Sequence, residues 1–166
     1  MKKNVLAILT GITLALGESG CASAPRYTFP ASEEVTVEKV RFRNRFRIEV
    51  VGNLYVPKNV AGSRKQAAVI VGHPFGGVKE QTSGLYAQKL AELGYVTLAF
   101  DASHYGESGG EPRNLTSPEI STEDFSAAVD YLLTRDDVNA QRIGILGICG
   151  WGGFALNAAA NDPRIK

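Results

Sequence analysis

The segment RIGILGICGWGG, residues 142–153, places a cysteine between an apolar run and a glycine-rich turn. A sharp strand-to-helix turn there would lift Cys149 above the edge of a sheet, at the N-terminus of the next helix. This position favours thiolate over thiol, because the helix dipole and free N–H groups stabilise negative charge. Cys149 is therefore a candidate nucleophile, and the Gly150 N–H is a candidate oxyanion donor. The alternative is a small buried side chain in a structural turn.

A second glycine-rich segment, GHPFGG at residues 72–77, follows another apolar run. Backbone N–H groups in such a turn can stabilise a developing negative charge. Pro74 has no N–H, so we expect the N–H of Phe75 to be the other oxyanion donor. The alternative is a tight turn that needs glycine only for its backbone angles.

The third segment, FDASHYGESGG at residues 100–110, also begins at the end of an apolar run. Asp101 is expected to accept hydrogen bonds from nearby backbone amides in a structural turn. His104 in this loop, together with His73 and Trp151, is a candidate for lining a substrate pocket. The alternative for His104 is a merely exposed loop histidine.

The strands that must position these segments are predicted from apolar patterning. AAVIV (67–71), YVTLAF (95–100) and IGILGI (143–148) are typical of strands buried on both faces of a parallel sheet. SEEVTVEKVRF and RIEVVGNLYVP alternate like an antiparallel pair, and Pro57 ends the second strand. The sequence therefore predicts an α/β fold with a mostly parallel sheet and an antiparallel N-terminal edge, in which chemistry gathers at the carboxyl ends of the strands.

Two helices are predicted between the parallel strands. The segment SGLYAQKLAEL is expected to form a helix that packs one side against the sheet and ends at Gly94. The residues expected on that inward side are Leu85, Leu90 and Leu93. STEDFSAAVDYLLTR is expected to begin with a capping box formed by Ser121 and Asp124.

The N-terminus is predicted to be an export signal. Residues 1–24 contain a basic start and an apolar run, VLAILTGITLAL, that is too short to span a bilayer. The segment LALGESGC favours a lipoprotein signal with a lipidated Cys21, and the alternative is ordinary cleavage after Ala24. Residues 25–34 are predicted to be a linker and residues 35–166 the domain. We expect an exported protein, periplasmic or anchored to the cell envelope and its membrane through Cys21.

Charge and cysteine content exclude some classes of partner. The chain has 18 basic and 17 acidic residues, so its net charge of +1 gives no electrostatic reason to bind nucleic acid. The arginines of VRFRNRFRIEV alternate as on the solvated face of a strand pair. The 2 cysteines are too few for a disulfide framework.

Together the three segments resemble the α/β-hydrolase family over most of residues 34–166. RIGILGICGWGG is similar to the strand and nucleophile elbow G-x-nucleophile-x-G, HPFGG resembles the HGFGG oxyanion turn, and DASHYGESGG resembles the DxRGxGxSxG loop. Cysteine in the nucleophile position is similar to dienelactone hydrolases. The turn GIC with NAAANDPRIK is similar to bacterial hydrolases grouped with fungal polyketide transferases. Two departures are Trp151, where the family has a small residue, and residues 102–104, which replace aromatic-Arg-Gly.

The resemblance implies hydrolysis of an ester, lactone or thioester, or acyl transfer, with Cys149 as nucleophile on a small-molecule acyl substrate. It implies no metal and no organic cofactor. The family's acid and histidine follow the nucleophile, and no histidine follows Cys149 here. We therefore expect the N-terminal half of the fold, truncated after the helix of the elbow and inactive in this form. The alternative is a non-catalytic exported α/β domain, or a vestigial fragment, that acts only by binding.

Overall fold

The computed structural model describes residues 27–59 and 65–166, and the predicted signal with Cys21 lies outside them. The described part folds into one mixed sheet with helices on both faces. In chain order the elements are β1 (Val35–Arg43), β2 (Glu49–Pro57), β3 (Gln66–Gly72), α1 (Thr82–Glu92), β4 (Val96–Asp101), α2 (Pro118–Leu133), β5 (Val138–Gly147) and α3 (Trp151–Asn161).

The strand order across the sheet is β1-β2-β4-β3-β5. β3 lies between β4 and β5 and is parallel to both, whereas β2 is antiparallel to β1 and to β4. The predicted fold class is confirmed, including the antiparallel N-terminal edge. The carboxyl ends of β3, β4 and β5 carry the three glycine-rich segments, so the parallel register brings these segments to one edge of the sheet.

The core consists of two apolar layers, one on each face of the sheet. α2 and α3 pack on one face, where Phe100, Phe125 and Trp151 are buried. α1 packs on the other face, where Tyr55 and Val71 are buried. The sheet is therefore covered on both sides, as expected for parallel strands with continuous apolar runs.

The inward face of α1 differs from the predicted one. Leu85 is 37% exposed and Leu93 is 76% exposed, whereas small and polar residues of the helix are buried. The helix lies so close to its neighbours that a Cβ on Gly84 would come within 2.8 Å of the Tyr55 hydroxyl and would overlap the Lys79 carbonyl. Close approach of a helix to a sheet requires small side chains at the contact, so Leu85 and Leu93 are excluded from it. Leu90 is partly buried and packs against the core on this face, as predicted.

The start of α2 also differs from the prediction. Ser117 is the N-cap residue, its hydroxyl accepts from the Ile120 N–H, and Pro118 occupies the first turn. Proline is favoured there because the N–H it lacks would have no partner in the helix. Ser121 and Asp124, the predicted capping box, lie inside the helix and are buried.

Residues 27–34, which fall in the predicted linker, contact α1 and the turn before it. The Thr28 N–H donates to the Glu80 carbonyl at 3.2 Å, and the Ser32 N–H donates to the Gln88 side chain at 3.1 Å. The Gln88 amide in turn donates to the Pro30 carbonyl. None of the helices in the described ranges is both long enough and apolar enough to cross a bilayer.

The outer edge of β5 borders an apolar groove of about 440 Å³ between β5 and α3. Ile145, Leu146, Leu156, Ile165 and Lys166 are among the residues that line it. Ile165 forms a parallel bridge with Ile143, and the Lys166 N–H donates to the Ile143 carbonyl at 2.8 Å. The chain after α3 therefore begins to pair in parallel with β5.

Candidate active site

Cys149 lies on a sharp turn between β5 and α3. β5 ends at Gly147, α3 begins at Trp151, and Cys149 between them is exposed and has a φ of 57°. A side-chain-bearing residue in this left-handed region costs about 1–3 kcal/mol and persists only where the surrounding structure imposes it. A Cβ on Gly147 would overlap the Trp151 backbone, so the strand and the helix approach too closely there for another residue. This is the geometry of a nucleophile elbow.

The turn that follows β3 lies against this elbow. The Ile148 N–H donates to the Gly72 carbonyl at 3.2 Å, and the ring of Phe75 covers the Cα of Gly150 so closely that a Cβ there would overlap it. Within residues 27–59 and 65–166, the N–H groups of Phe75 and Gly150 donate to no backbone or side-chain acceptor. Oxyanion holes are built from such free donors, so these two N–H groups are candidates for that role.

His73 is a buried structural residue. Its Nε2 accepts from the Ala102 N–H at 3.1 Å, and its Nδ1 is 2.8 Å from the Pro74 carbonyl oxygen. These partners fix the neutral tautomer with the proton on Nδ1. Burial lowers the pKa of His73, against the opposing effect of the hydrogen bond to Pro74. With no exposed surface and both nitrogens bonded, His73 does not reach an open substrate pocket and has no free nitrogen for a proton of Cys149.

Trp151, the departure from the family pattern, occupies the core and leaves the turn intact. The indole is fully buried, and its ring centre lies 4.3 Å from that of His73. It fits because residue 72 is glycine: a Cβ there would come within 2.9 Å of the indole Cδ1 and 2.6 Å of the Phe125 Cζ. Its Nε1 has no partner in the described part of the chain. Trp151 therefore supports the elbow from behind and does not face solvent.

His104 is held inside the loop that follows β4. Its φ is 72°, its side chain is buried, and its Nδ1 is 3.0 Å from the Pro112 carbonyl oxygen. Among the described residues no group bonds its Nε2, which is also buried. The backbone of the loop also closes on itself, because the His104 N–H donates to the Gly109 carbonyl. His104 is thus neither exposed nor open to a substrate in this structure.

A buried ion cluster that the sequence analysis missed ties the β3 and β4 loops together. The Lys79 ammonium is fully buried and lies 2.8 Å from Asp101, 2.6 Å from Glu107 and 2.7 Å from Glu80. Burial alone would lower the pKa of Lys79, but the charge of Asp101 and the three carboxylate hydrogen bonds outweigh it and raise that pKa. Hydrogen bonds from Lys39 and Lys79 lower the pKa of Glu107 to about 2.

Asp101 accepts two backbone hydrogen bonds, as the sequence predicted for a structural turn. Its carboxylate accepts the Lys79 N–H at 2.8 Å and the Glu107 N–H at 2.9 Å. Because Lys79 lies a few residues after Phe75, the carboxylate at the end of β4 fixes the far end of the turn that carries the Phe75 N–H. A lysine after a glycine-rich turn gives no sequence signal of burial, which is why the pair was missed.

A second buried network holds the other side of the same loop. The Asp124 carboxylate accepts from the Ser103 N–H, the Ser103 hydroxyl and the Asn44 amide, each at 2.8 Å. Burial raises the pKa of Asp124, and these hydrogen bonds oppose the rise. The network connects the β1–β2 turn, α2 and the loop after β4. In residues 27–59 and 65–166 no group of three His, Cys, Asp or Glu side chains is arranged to hold a metal ion.

The parallel sheet, the elbow and the facing glycine-rich turn define the N-terminal part of an α/β hydrolase. Residues 50–166 match the dienelactone hydrolase family, and the chain belongs to that family. The family resemblance expected from the three segments is confirmed.

Several relatives match most of this chain. The uncharacterized protein PA2218 of Pseudomonas aeruginosa is 60% identical over 139 residues, which are 84% of this chain and 37% of that protein. The crystal structure of hypothetical protein PA2218 has a TM-score of 0.82 at 59% identity and covers 84% of this chain and 43% of that one.

Two fungal relatives carry names that describe an activity. Thiohydrolase aneE of Aspergillus aculeatus is 32% identical over 135 residues, 81% of this chain and 41% of that protein. Polyketide transferase claH of Penicillium crustosum is 32% identical over 129 residues, 78% of this chain and 42% of that protein. The chain thus spans about two-fifths of the length of these relatives.

Proposed function

We propose that this chain carries the nucleophile and the oxyanion hole of a cysteine-dependent acyl hydrolase or acyl transferase. The observation that carries the proposal is the strained, exposed Cys149 on the elbow, next to the free N–H groups of Phe75 and Gly150. Membership of the dienelactone hydrolase family, and relatives named thiohydrolase and polyketide transferase, support an ester, lactone or thioester as substrate.

In the proposed reaction the Cys149 thiolate attacks the acyl carbon and forms a C–S bond. The carbonyl π electrons move to the oxygen, which the Phe75 and Gly150 N–H groups stabilise. Collapse of the tetrahedral intermediate breaks the bond to the leaving alcohol or thiol and leaves a thioester on Cys149. The leaving group takes up a proton from water, which balances the proton that the Cys149 thiol lost to water. Water or another nucleophile then attacks the thioester carbon and loses its proton to a base. The C–S bond breaks, and the Cys149 thiolate is restored.

The base for the second step comes, in this proposal, from outside these 166 residues. Both nitrogens of His73 are bonded, and His104 is buried in its own loop. Without a base to activate water, the acyl group stays on the enzyme. We therefore propose that the 166-residue chain is acylated once and does not turn over.

The test is single-turnover acylation by p-nitrophenyl butyrate. We expect about one equivalent of p-nitrophenol per chain, with the butyryl mass on the peptide that carries Cys149, at a rate at least about tenfold above glutathione at pH 7, since each oxyanion donor contributes far more than that in known enzymes. Cys149→Ala should abolish the burst. Acylation no faster than glutathione would favour the non-catalytic alternative, and Cys149-dependent multiple turnover would show that the chain supplies its own base.

Export remains a proposal for this protein, as does lipid anchoring through Cys21. The basic start and apolar run of residues 1–24 support it.

A further inference from the structure

The surface beside Cys149 is an aromatic wall. Phe75 is 53% exposed although it is a large apolar side chain, and its ring lies on Gly150, the residue next to the thiol. Phe154, one turn further along α3, is partly buried, and its ring centre is 6.2 Å from that of Phe75. We use the term aromatic wall for Phe75, Phe154 and the indole of Trp151 behind them.

The rings of the wall fix one another by edge-to-face packing. The ring centres of Phe75 and Trp151 are 5.1 Å apart with an interplanar angle of 68°, and those of Trp151 and Phe154 are 5.3 Å apart at 90°. Such pairs are favourable geometries for aromatic side chains. The fully buried indole therefore anchors the two outer rings, and the exposed face of Phe75 stays beside the elbow.

The wall carries no charge where it joins the core. His73, stacked on Trp151, keeps its proton on Nδ1 and accepts from the Ala102 N–H, so it is neutral. An apolar acyl group would bury the exposed face of Phe75. Exposed aromatic surface next to a reactive group favours a ligand that covers it.

We propose that the Phe75 ring is a specificity-determining residue that selects acyl groups with an aromatic or flat apolar portion next to the reacting carbonyl. The inference rests on the proposed function, because it assigns the substrate class of the Cys149 site. It gives the Phe75 side chain a role separate from that of its N–H group.

The test compares two alkylating reagents with the same reactive group, iodoacetamide and N-benzyliodoacetamide, on the full 166-residue chain. Mass spectrometry of the peptide that carries Cys149 gives the two rates, and the ratio of benzyl to unsubstituted reagent is divided by the same ratio for glutathione. We expect a preference of about tenfold for the benzyl reagent, equivalent to ~1.4 kcal/mol. Phe75→Ala should reduce it to below about twofold, and Phe75→Leu should give an intermediate value.

Two further variants keep the result interpretable if Phe75→Ala does not fold. Phe154→Ala removes the second outer ring and should lower the preference in part. Tyr86→Ala removes a similarly exposed aromatic ring on α1, at 49% exposure, and should leave the preference unchanged. A benzyl preference below twofold in the natural chain, or one that survives Phe75→Leu and Phe154→Ala, would overturn the inference while leaving the proposed function intact. Failure of Cys149 to outpace glutathione with either reagent would overturn both.

Discussion

Replacing Lys79 with methionine tests whether the buried ion cluster holds the active-site loops. The ammonium of Lys79 and the carboxylate of Asp101 are both fully buried, and their atoms are 2.8 Å apart. Lys79→Met keeps most of the side-chain volume but leaves the Asp101 carboxylate with only its two backbone donors. Glu80 and Glu107 retain some access to water, so they lose less.

The expected cost follows from the burial of the pair. Removing one partner of a buried ion pair destabilises a protein by about 3–5 kcal/mol, because an uncompensated charge remains. The free energy of unfolding of a typical domain is ~5–15 kcal/mol, so the variant should lose a large share of its stability. Lys39→Met is the matched control. Lys39 pairs with Glu107 at 2.8 Å but is 41% exposed, and an exposed pair contributes at most about 1 kcal/mol.

Urea unfolding followed by tryptophan fluorescence measures both variants. Trp151 is the single tryptophan of the chain and is fully buried, so its emission reports the folded core. With a slope of about 1–3 kcal/mol per molar urea, a loss of 3 kcal/mol lowers the midpoint by at least ~1 M. Sucrose is added to all samples because it stabilises folded states, so that a destabilised variant still has a measurable folded baseline.

Two results would refute this reasoning. The first is a Lys79→Met midpoint close to that of Lys39→Met, which would mean that burial of the cluster contributes little. The second is strict additivity of Lys79→Met and Asp101→Asn, because directly contacting residues should show a coupling energy of about 0.5–3 kcal/mol.

Two further substitutions and one measurement on the natural protein have expected outcomes. The pKa of Glu107 is lowered to about 2 from an ordinary 4.5. The ionised carboxylate therefore stabilises the fold above pH 4.5, and this stabilisation is lost as the pH falls towards 2. Glu107→Gln should flatten the decline of the urea midpoint over that range, and an unchanged decline would contradict this prediction. Gly150→Ala should cost about 1–3 kcal/mol in urea unfolding because its methyl group overlaps the Phe75 ring, and adding Phe75→Ala should recover part of that loss. In cell fractions, mass spectrometry should find a mature protein without its first ~20 residues; a diacylated Cys21 would establish the lipoprotein signal, and an intact N-terminus in the cytoplasm would refute export.

The positions of the strands in the chain were predictable because they depend on local patterning. Continuous apolar runs marked β3, β4 and β5, and alternation marked β1 and β2. The elbow was predictable for the same reason, since glycines around Cys149 signal a turn too tight for other residues. The inward face of α1 was not, because Leu85 and Leu93 have the right spacing but the sheet is too close to admit them.

The sequence by itself determined the fold class, because the apolar patterning of each strand and helix is local and their order along the chain gives the class. It also determined the position of Cys149 on a strand-to-helix turn and the second glycine-rich turn, because each is encoded within a few consecutive residues. Only the tertiary structure decided that Lys79 pairs with Asp101 and that His73 is buried and neutral. It also decided that the Phe75 ring covers Gly150, whose position is 75 residues further along the chain. Contacts at such separation depend on how the parallel strands align their ends, and no local pattern of residues specifies which side chains then meet.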